Sequence, residues 1–341
     1  MAIRTPLPAL ALLVTAALGL TGCATLEAAF PSSATGNASP TATPSADAGP
    51  YEPVTVDNCG FEVTFDRPPQ RVVTIKSTAT EMLLALGLGD RIVGVAYQDG
   101  PVPGVWAKQL DAPVLADKVP SEEVVLGVEP DLVYAGWESN FSADGAGTRK
   151  DLAKLGVASY VSPSACQSKG QPDPLTWDHI FSDIEEIGRI FGVEQEAADL
   201  VAQQRRTLDA VLPNNGMGRT ALWYSSGSDT PFVGAGIGAP QLLMESVGLT
   251  NIAGDLDATW APYNWEAVVD ADPDFIILID SAWNSADHKI QVLESNPATA
   301  QLTAVRFGNY LVLPFAASEA GVRSVEAAAS LSHQLIEQSG P

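Results

Sequence analysis

Histidine is scarce: the chain of 341 residues has three, His179, His288 and His333. They are scattered and share no metal-ligand spacing, so no metal site is expected and no cofactor is assigned. Bases are also few, with 18 Lys and Arg against 41 Asp and Glu and a formal net charge of −23. That balance is poorly suited to nucleic acid or to an anionic lipid surface. Solubility alone accounts for it. The chain has no Gly-x-Ser-x-Gly elbow, no Walker loop and no His-Glu-x-x-His. Acids are numerous enough to leave a carboxylate pair for glycoside hydrolysis open. No catalytic residue is assigned.

Long apolar runs are confined to the start. Arg4 gives a positive beginning, and residues 6–20 are uncharged and mostly apolar but too short for a comfortable membrane span. The run ends at Leu20-Thr21-Gly22-Cys23, the bacterial lipoprotein processing pattern. Residues 1–22 are therefore expected to be a signal peptide. Acylation of Cys23 is expected to hold the chain on the outer face of the cell membrane. Residues 24–50 are rich in Ala, Ser, Thr, Pro and Gly and read as a flexible leash.

Cysteine is as rare as histidine, with three residues. With Cys23 lipidated, Cys59 and Cys166 remain in an oxidising compartment, and with no third candidate they are expected to be bridged. Such a bridge closes a loop of about a hundred residues, worth roughly 4–5 kcal/mol in the chain-entropy model.

What the chain has in quantity is a repeated α/β unit. Val72-Val73-Thr74-Ile75 reads as a buried strand, followed by a helix through Glu81 to Leu86 that stops at Gly87, then the strand Ile92-Val93-Gly94-Val95. The same order returns with the strand Ala221-Leu222-Trp223-Tyr224, a helix opening at Gln241, Gly248 to end it, and Asn251-Ile252 after it. Farther along each copy, a short helix meets an acid-Pro-Asp turn, Glu129-Pro130-Asp131 or Asp272-Pro273-Asp274, and an unbroken apolar strand follows. Glu123 matches Glu266 and Leu132 matches Phe275, each 143 positions apart. Third strands are expected at Ala158-Ser159-Tyr160-Val161 and Tyr310-Leu311-Val312-Leu313.

Strands apolar throughout and alternating with helices predict parallel sheet covered on both faces. Between the copies, Ile180, Phe181, Ile184, Ile187, Ile190 and Phe191 share one helical face, and Gly192 interrupts it. Residues 194–212 predict a second helix, about 28 Å long, acidic at its start and carrying Arg205 and Arg206 near its end. The fold expected is α/β: two doubly wound parallel-sheet lobes, residues 51–193 and 213–341, joined by one long helix over 194–212, with a ligand cleft between them.

This organisation resembles the helical-backbone class of solute-binding proteins, the binding components of iron-siderophore, haem and cobalamin importers. The resemblance rests on Arg67-Pro68-Pro69-Gln70-Arg71-Val72-Val73 leading into the first strand, Thr80-Glu81 opening the first helix, both acid-Pro-Asp turns, the strut, the leash and the lipobox. It implies a lipid-anchored monomer that is not an enzyme, with an ATP-binding-cassette permease and its ATPase as partners. It implies that Glu123 and Glu266 dock onto permease arginines, and that the strut permits only small closure of the lobes.

Four stretches are similar to an actinobacterial subgroup proposed to carry a deazaflavin coenzyme precursor, the phospholactate-bearing form. They are residues 74–81, 134–140, 234–240 and 314–323. Loops just after strands in such a fold supply Lys76, Ser77, Thr78, Tyr97, Trp137, Ser139, Asn140, Tyr224, Ser225 and Trp283 as ligand contacts, with Trp260 and Trp265 nearby and Arg323 after the last strand. The aromatic rings suit a planar ligand, and Lys76 and Arg323 suit its anion. A ferric siderophore, haem or cobalamin fits the same description. A secreted hydrolase and a surface interaction module without a small ligand remain as other classes. Gly234-Ala235-Gly236-Ile237-Gly238 reads mainly as a turn with close backbone packing, and phosphate reception on the following helix is its alternative.

Overall fold

A computed structural model describes residues 51–339 apart from 168 and 212. Cys23, the leash and the end of the expected strut at Leu212 lie outside the described residues. No helix among those described is long and apolar enough to cross a membrane.

The described chain begins with a hairpin that the sequence reading did not anticipate. Strands β1 (Val54–Asn58) and β2 (Phe61–Phe65) pair antiparallel. Cys59 and Gly60 connect them at φ 56° and 73°, the two left-handed residues that a tight two-residue hairpin turn requires. The turn places Cys59 against Cys166, and the two form a disulfide across 107 positions.

The first lobe then builds a five-stranded sheet from β3 (Val72–Ile75), α1 (Ser77–Ala85), β4 (Ile92–Ala96), β5 (Val114–Ala116), α2 (Glu122–Leu126), β6 (Leu132–Ala135), α3 (Arg149–Lys154) and β7 (Ala158–Val161). Its order is β5-β4-β3-β6-β7 and every pairing is parallel. Alternate residues feed the two faces. Val72, Tyr134 and Tyr160 enter one core with the apolar face of the following helix, while Val73, Ile75, Val133 and Ala135 enter the other.

Two packed helices, α4 (Trp177–Phe191) and α5 (Glu194–Asp209), connect this sheet to the next. The helical spacing of Ile180, Phe181, Ile184, Ile187 and Ile190 buries all five. Gly192, at φ 67°, turns the chain back between the helices. Gly188 lets them approach closely, since a Cβ there would lie 2.5 Å from Ala197 Cβ. Along α5, Ala197 and Val201 belong to the first lobe's core, while Leu208 also packs against the second lobe's core.

The second lobe comprises β8 (Thr220–Ser226), β9 (Phe232–Gly234), α6 (Ala239–Ser246), β10 (Thr250–Asn251), β11 (Trp260–Pro262), α7 (Trp265–Ala271), β12 (Phe275–Asp280), α8 (Ala286–Ser295), α9 (Thr303–Phe307), β13 (Tyr310–Pro314), α10 (Phe315–Ser318) and α11 (Ser324–Ser339). Its sheet is mixed rather than wholly parallel. Strands β8, β10, β12 and β13 run parallel, whereas β9 pairs antiparallel with β8 and with β11. The reason is local: only five residues separate Ser226 from Phe232, too few for a crossover connection.

The repeat extends to the backbone. Glu129 and Asp272, the residues before the two prolines, both adopt positive φ, 49° and 38°. The aspartate after each proline then clamps the start of its lobe's first strand. Asp131 accepts from the amides of Gln70 and Arg71, and Asp274 accepts from Thr220 N and Oγ1.

Candidate functional site

A cavity of about 360 Å³ lies between the lobes. It is lined by residues just beyond strand C-termini from both sheets: Gly136 and Trp137 after β6, Ser225 and Ser226 at the end of β8, Trp283 after β12, and Phe315 after β13. Open parallel sheets present ligand sites at these ends. Phe232, Trp260 and Thr259 close one side, and Ser164, Cys166 and Gln167 close another. The disulfide is therefore part of the cavity wall.

Five of the lining side chains are aromatic and several others carry a hydroxyl. Trp137 meets Phe315 edge-on at 6.1 Å, and Trp283 meets the same ring at 5.4 Å. Trp283 is 48% exposed, so it offers a face to a ligand rather than a buried packing surface. Ser164 Oγ donates to Asp183 on α4 at 2.5 Å, and burial pushes the Asp183 carboxyl up to about 7.

The cavity floor is an interlobe contact. Glu319 lines it from the second lobe and accepts from Trp137 Nε1 of the first lobe at 2.9 and 3.0 Å, and from Thr78 Oγ1 at 3.2 Å. Burial pushes Glu319 up to about 7, with Lys76 opposing the shift and Asp99 adding to it. Behind the floor, Lys76 is fully buried and ion-paired with Asp99. Its ammonium sits over Trp137, Tyr97 and Phe315, 3.9, 4.2 and 4.7 Å from their ring centres. Lys76 holds this place at φ 79° and ψ 148°, a backbone region costing a non-glycine residue about 1–3 kcal/mol. Farther back, Arg323 reaches Glu81 across the lobes at 3.4 Å and Glu326 at 2.7 Å.

The sequence pattern of the periplasmic binding protein family matches residues 72–317, spanning both sheets and the helices between them. This chain belongs to that family. It is 25% identical over 292 residues to YvrC of Bacillus subtilis, an uncharacterised ABC transporter substrate-binding lipoprotein, covering 83% of this chain and 85% of that one. It is 28% identical over 214 residues to the vitamin B12-binding protein of Yersinia pestis, covering 61% and 69%. Among solved structures, an ABC-type Fe3+-hydroxamate transport system protein from Saccharomonospora viridis superposes with a TM-score of 0.70 at 27% identity, covering 85% of this chain and 99% of that one.

In this periplasmic binding protein, Trp137, Ser139, Ser225, Trp260 and Trp283 come together around the cavity. Others form the layer beneath. Ser77 holds Asp99, with its amide donating to the carboxylate and its Oγ accepting from Asp99 N. Tyr97 walls the Lys76 cage. Asn140 caps the turn after Trp137, Tyr224 donates to Gly227 O, and Trp265 donates to Ser228 O. None of these five lines the cavity.

Lys76 and Arg323, expected to pair with a ligand anion, do not line the cavity, and each faces carboxylates within the protein. Phe232, Phe315 and Glu319 are the contacts that the sequence reading missed. Phe315 directly follows β13, so the strand-end rule that found Trp137 also reaches it, whereas Glu319 comes after the intervening helix α10. The family match stops at residue 317, so Glu319 comes from the geometry alone.

The glycine segment behaves as a turn. A Cβ on Gly236 would lie 2.1 Å from Gly254 O, and one on Gly234 2.3 Å from Pro240 Cβ. The three histidines are exposed and outside the cavity. Among the described residues no cluster of His, Cys, Asp and Glu fits a metal ion.

Proposed function

We propose that this protein captures a ring-bearing small solute in the interlobe cavity and delivers it to the permease and ATPase of an ABC importer. The observation that carries the reading is the set of aromatic side chains facing one cavity from both lobes, with hydroxyls between them. Such walls hold flat or macrocyclic solutes by stacking and orient them by a few polar contacts. The names of the relatives support the siderophore and cobalamin class of solute, to which the sequence resemblance adds haem, carried by a chain anchored through Cys23. On this reading the lobes are residues 51–193 and 213–341, on either side of the strut.

Glu123 and Glu266 are the docking residues in this proposal. Both are exposed in the first turn of their helices, α2 and α7, at equivalent places in the repeat. Exposed carboxylates on each lobe suit recognition by arginines of a partner.

Within that class, the sequence resemblance favours a deazaflavin coenzyme precursor, whose planar ring suits tryptophan walls. Tryptophan-fluorescence titration against a deazaflavin precursor and a panel of ferric siderophores, haem and corrinoids tests the reading. Saturable binding of one of them supports it, and turnover of a solute by the purified protein would replace it with the hydrolase class.

A further inference from the structure

The charge of the cavity is one-sided. Glu319 is the one ionisable side chain among the described lining residues, and no Lys, Arg or His accompanies it. An adjoining cavity of about 500 Å³ shares Gln167, Thr259 and Trp260 with the first and adds Asp173 and Asp257. The groups behind the wall do not restore balance. Lys76 is matched by Asp99, Arg323 by Glu81 and Glu326, and Asp183 stands behind Ser164. A cleft with low-dielectric aromatic walls focuses such a field instead of letting water screen it.

We infer that the cavity selects neutral or cationic solutes over anionic ones, and that Glu319 is the residue that sets this selection. The inference rests on the ring-solute reading above and narrows it. Ferric trihydroxamates, neutral or carrying a free amine, belong to the admitted class, as do neutral corrinoids. Ferric tris-catecholates, haem with both propionates ionised, and phosphate-bearing rings belong to the excluded one. A deazaflavin is admitted as the ring without its phospholactate. Glu319 sits at the floor with Trp137 Nε1 and Thr78 Oγ1 donating to it from one side, leaving a carboxylate that takes a cation or a donor from a solute and repels a second anion.

Two matched pairs of probes test this on the full chain by calorimetric or fluorescence titration near pH 8, where Glu319 is mostly ionised. One pair is a deazaflavin ring with and without phospholactate. The other is ferrioxamine B, a monocation, against the trianionic ferric tris-catecholate of enterobactin. In every pair of which a member binds, the less negative one should bind tenfold tighter or more. Glu319→Gln, which keeps an acceptor for Trp137, should shrink that gap severalfold while leaving the melting temperature near that of the parent. An anionic probe that binds as tightly as its partner overturns the inference but keeps the ring-solute reading. So does a gap unchanged in Glu319→Gln. Failure of all four probes, and of haem and a corrinoid titrated beside them, to bind removes the ring-solute reading, and this inference with it.

Discussion

The indole N–H of Trp137 on the first lobe donates to the carboxylate of Glu319 on the second, while the same indole ring walls the cavity. One side chain thus belongs both to the ligand site and to the contact that holds the lobes together. Its two roles are separable by substitution. Trp137→Phe keeps a ring but removes the N–H, and a hydrogen bond to a charged group is worth about 1.5–3 kcal/mol. We expect it to lower the melting temperature while reducing affinity only a fewfold. Trp137→Ala should also lose the ring contact and weaken binding roughly tenfold or more. Calorimetric titration and thermal melts read both effects, and equal affinity for the two variants would contradict the division.

Stability should depend on pH in a defined direction. Burial raises the carboxyls of Glu81, against the pull of Arg323, and of Glu319 from 4.5 to about 7. The folded protein therefore keeps these protons where the unfolded chain has lost them, and folding takes up protons in that window. Their contribution is fully present below about pH 4.5 and is lost as the pH rises through about 7. Melting temperature should thus fall between about pH 5 and pH 8, partly also from general repulsion in an acidic protein. Glu81→Gln isolates the local part: its profile should be flatter than the parent's, and an identical slope would contradict the assignment.

Reduction of the Cys59–Cys166 bridge should act on both stability and binding. The bridge spans 107 positions, and the chain-entropy model assigns a loop of that length about 4.7 kcal/mol. For a domain of this size that corresponds to a fall of roughly 10 °C in melting temperature. Because Cys166 lines the cavity beside Ser164 and Gln167, a reduced or Cys166→Ser protein should also bind solute more weakly at temperatures where it remains folded. Unchanged affinity would make the bridge a remote brace only.

Charge reversal at Glu123 and Glu266 should separate capture from delivery. Both side chains are exposed and neither lines the cavity. The double substitution to arginine is expected to abolish uptake by whole cells with solute affinity unchanged. A loss of affinity in the purified variant would place these residues elsewhere in the mechanism.

The fold was legible in the sequence wherever a pattern repeats. Strand runs such as Val72 to Ile75 and Phe275 to Ile279, and both acid-Pro-Asp turns, carry their own period and punctuation. The hairpin before Val72 escaped because its turn is Cys59-Gly60, where the cysteine drew attention as a disulfide partner and not as a left-handed turn residue. The mixed second sheet escaped because the direction of β9 is set by loop length and not by composition.

At the site, position was legible and partnership was not. Trp137 and Trp283 follow from strand ends and Trp260 from its place before the second short helix of the repeat, whereas Lys76 reads as an anion binder until its neighbour in space, Asp99, is known. That pairing spans 23 positions and joins two loops, so no local pattern contains it. The same holds for Arg323 and Glu81, which are 242 positions apart.

The account's central claim is that the tryptophans of this cavity hold a ring-bearing solute. Calorimetric titration of the purified chain, alongside a variant with Trp137, Trp260 and Trp283 all replaced by alanine, tests it most directly. Saturable binding of one of the candidate solutes, lost or greatly weakened in the triple variant, is the predicted result. Binding of equal affinity in the triple variant, or no response to any ferric siderophore, haem, corrinoid or deazaflavin, would contradict it.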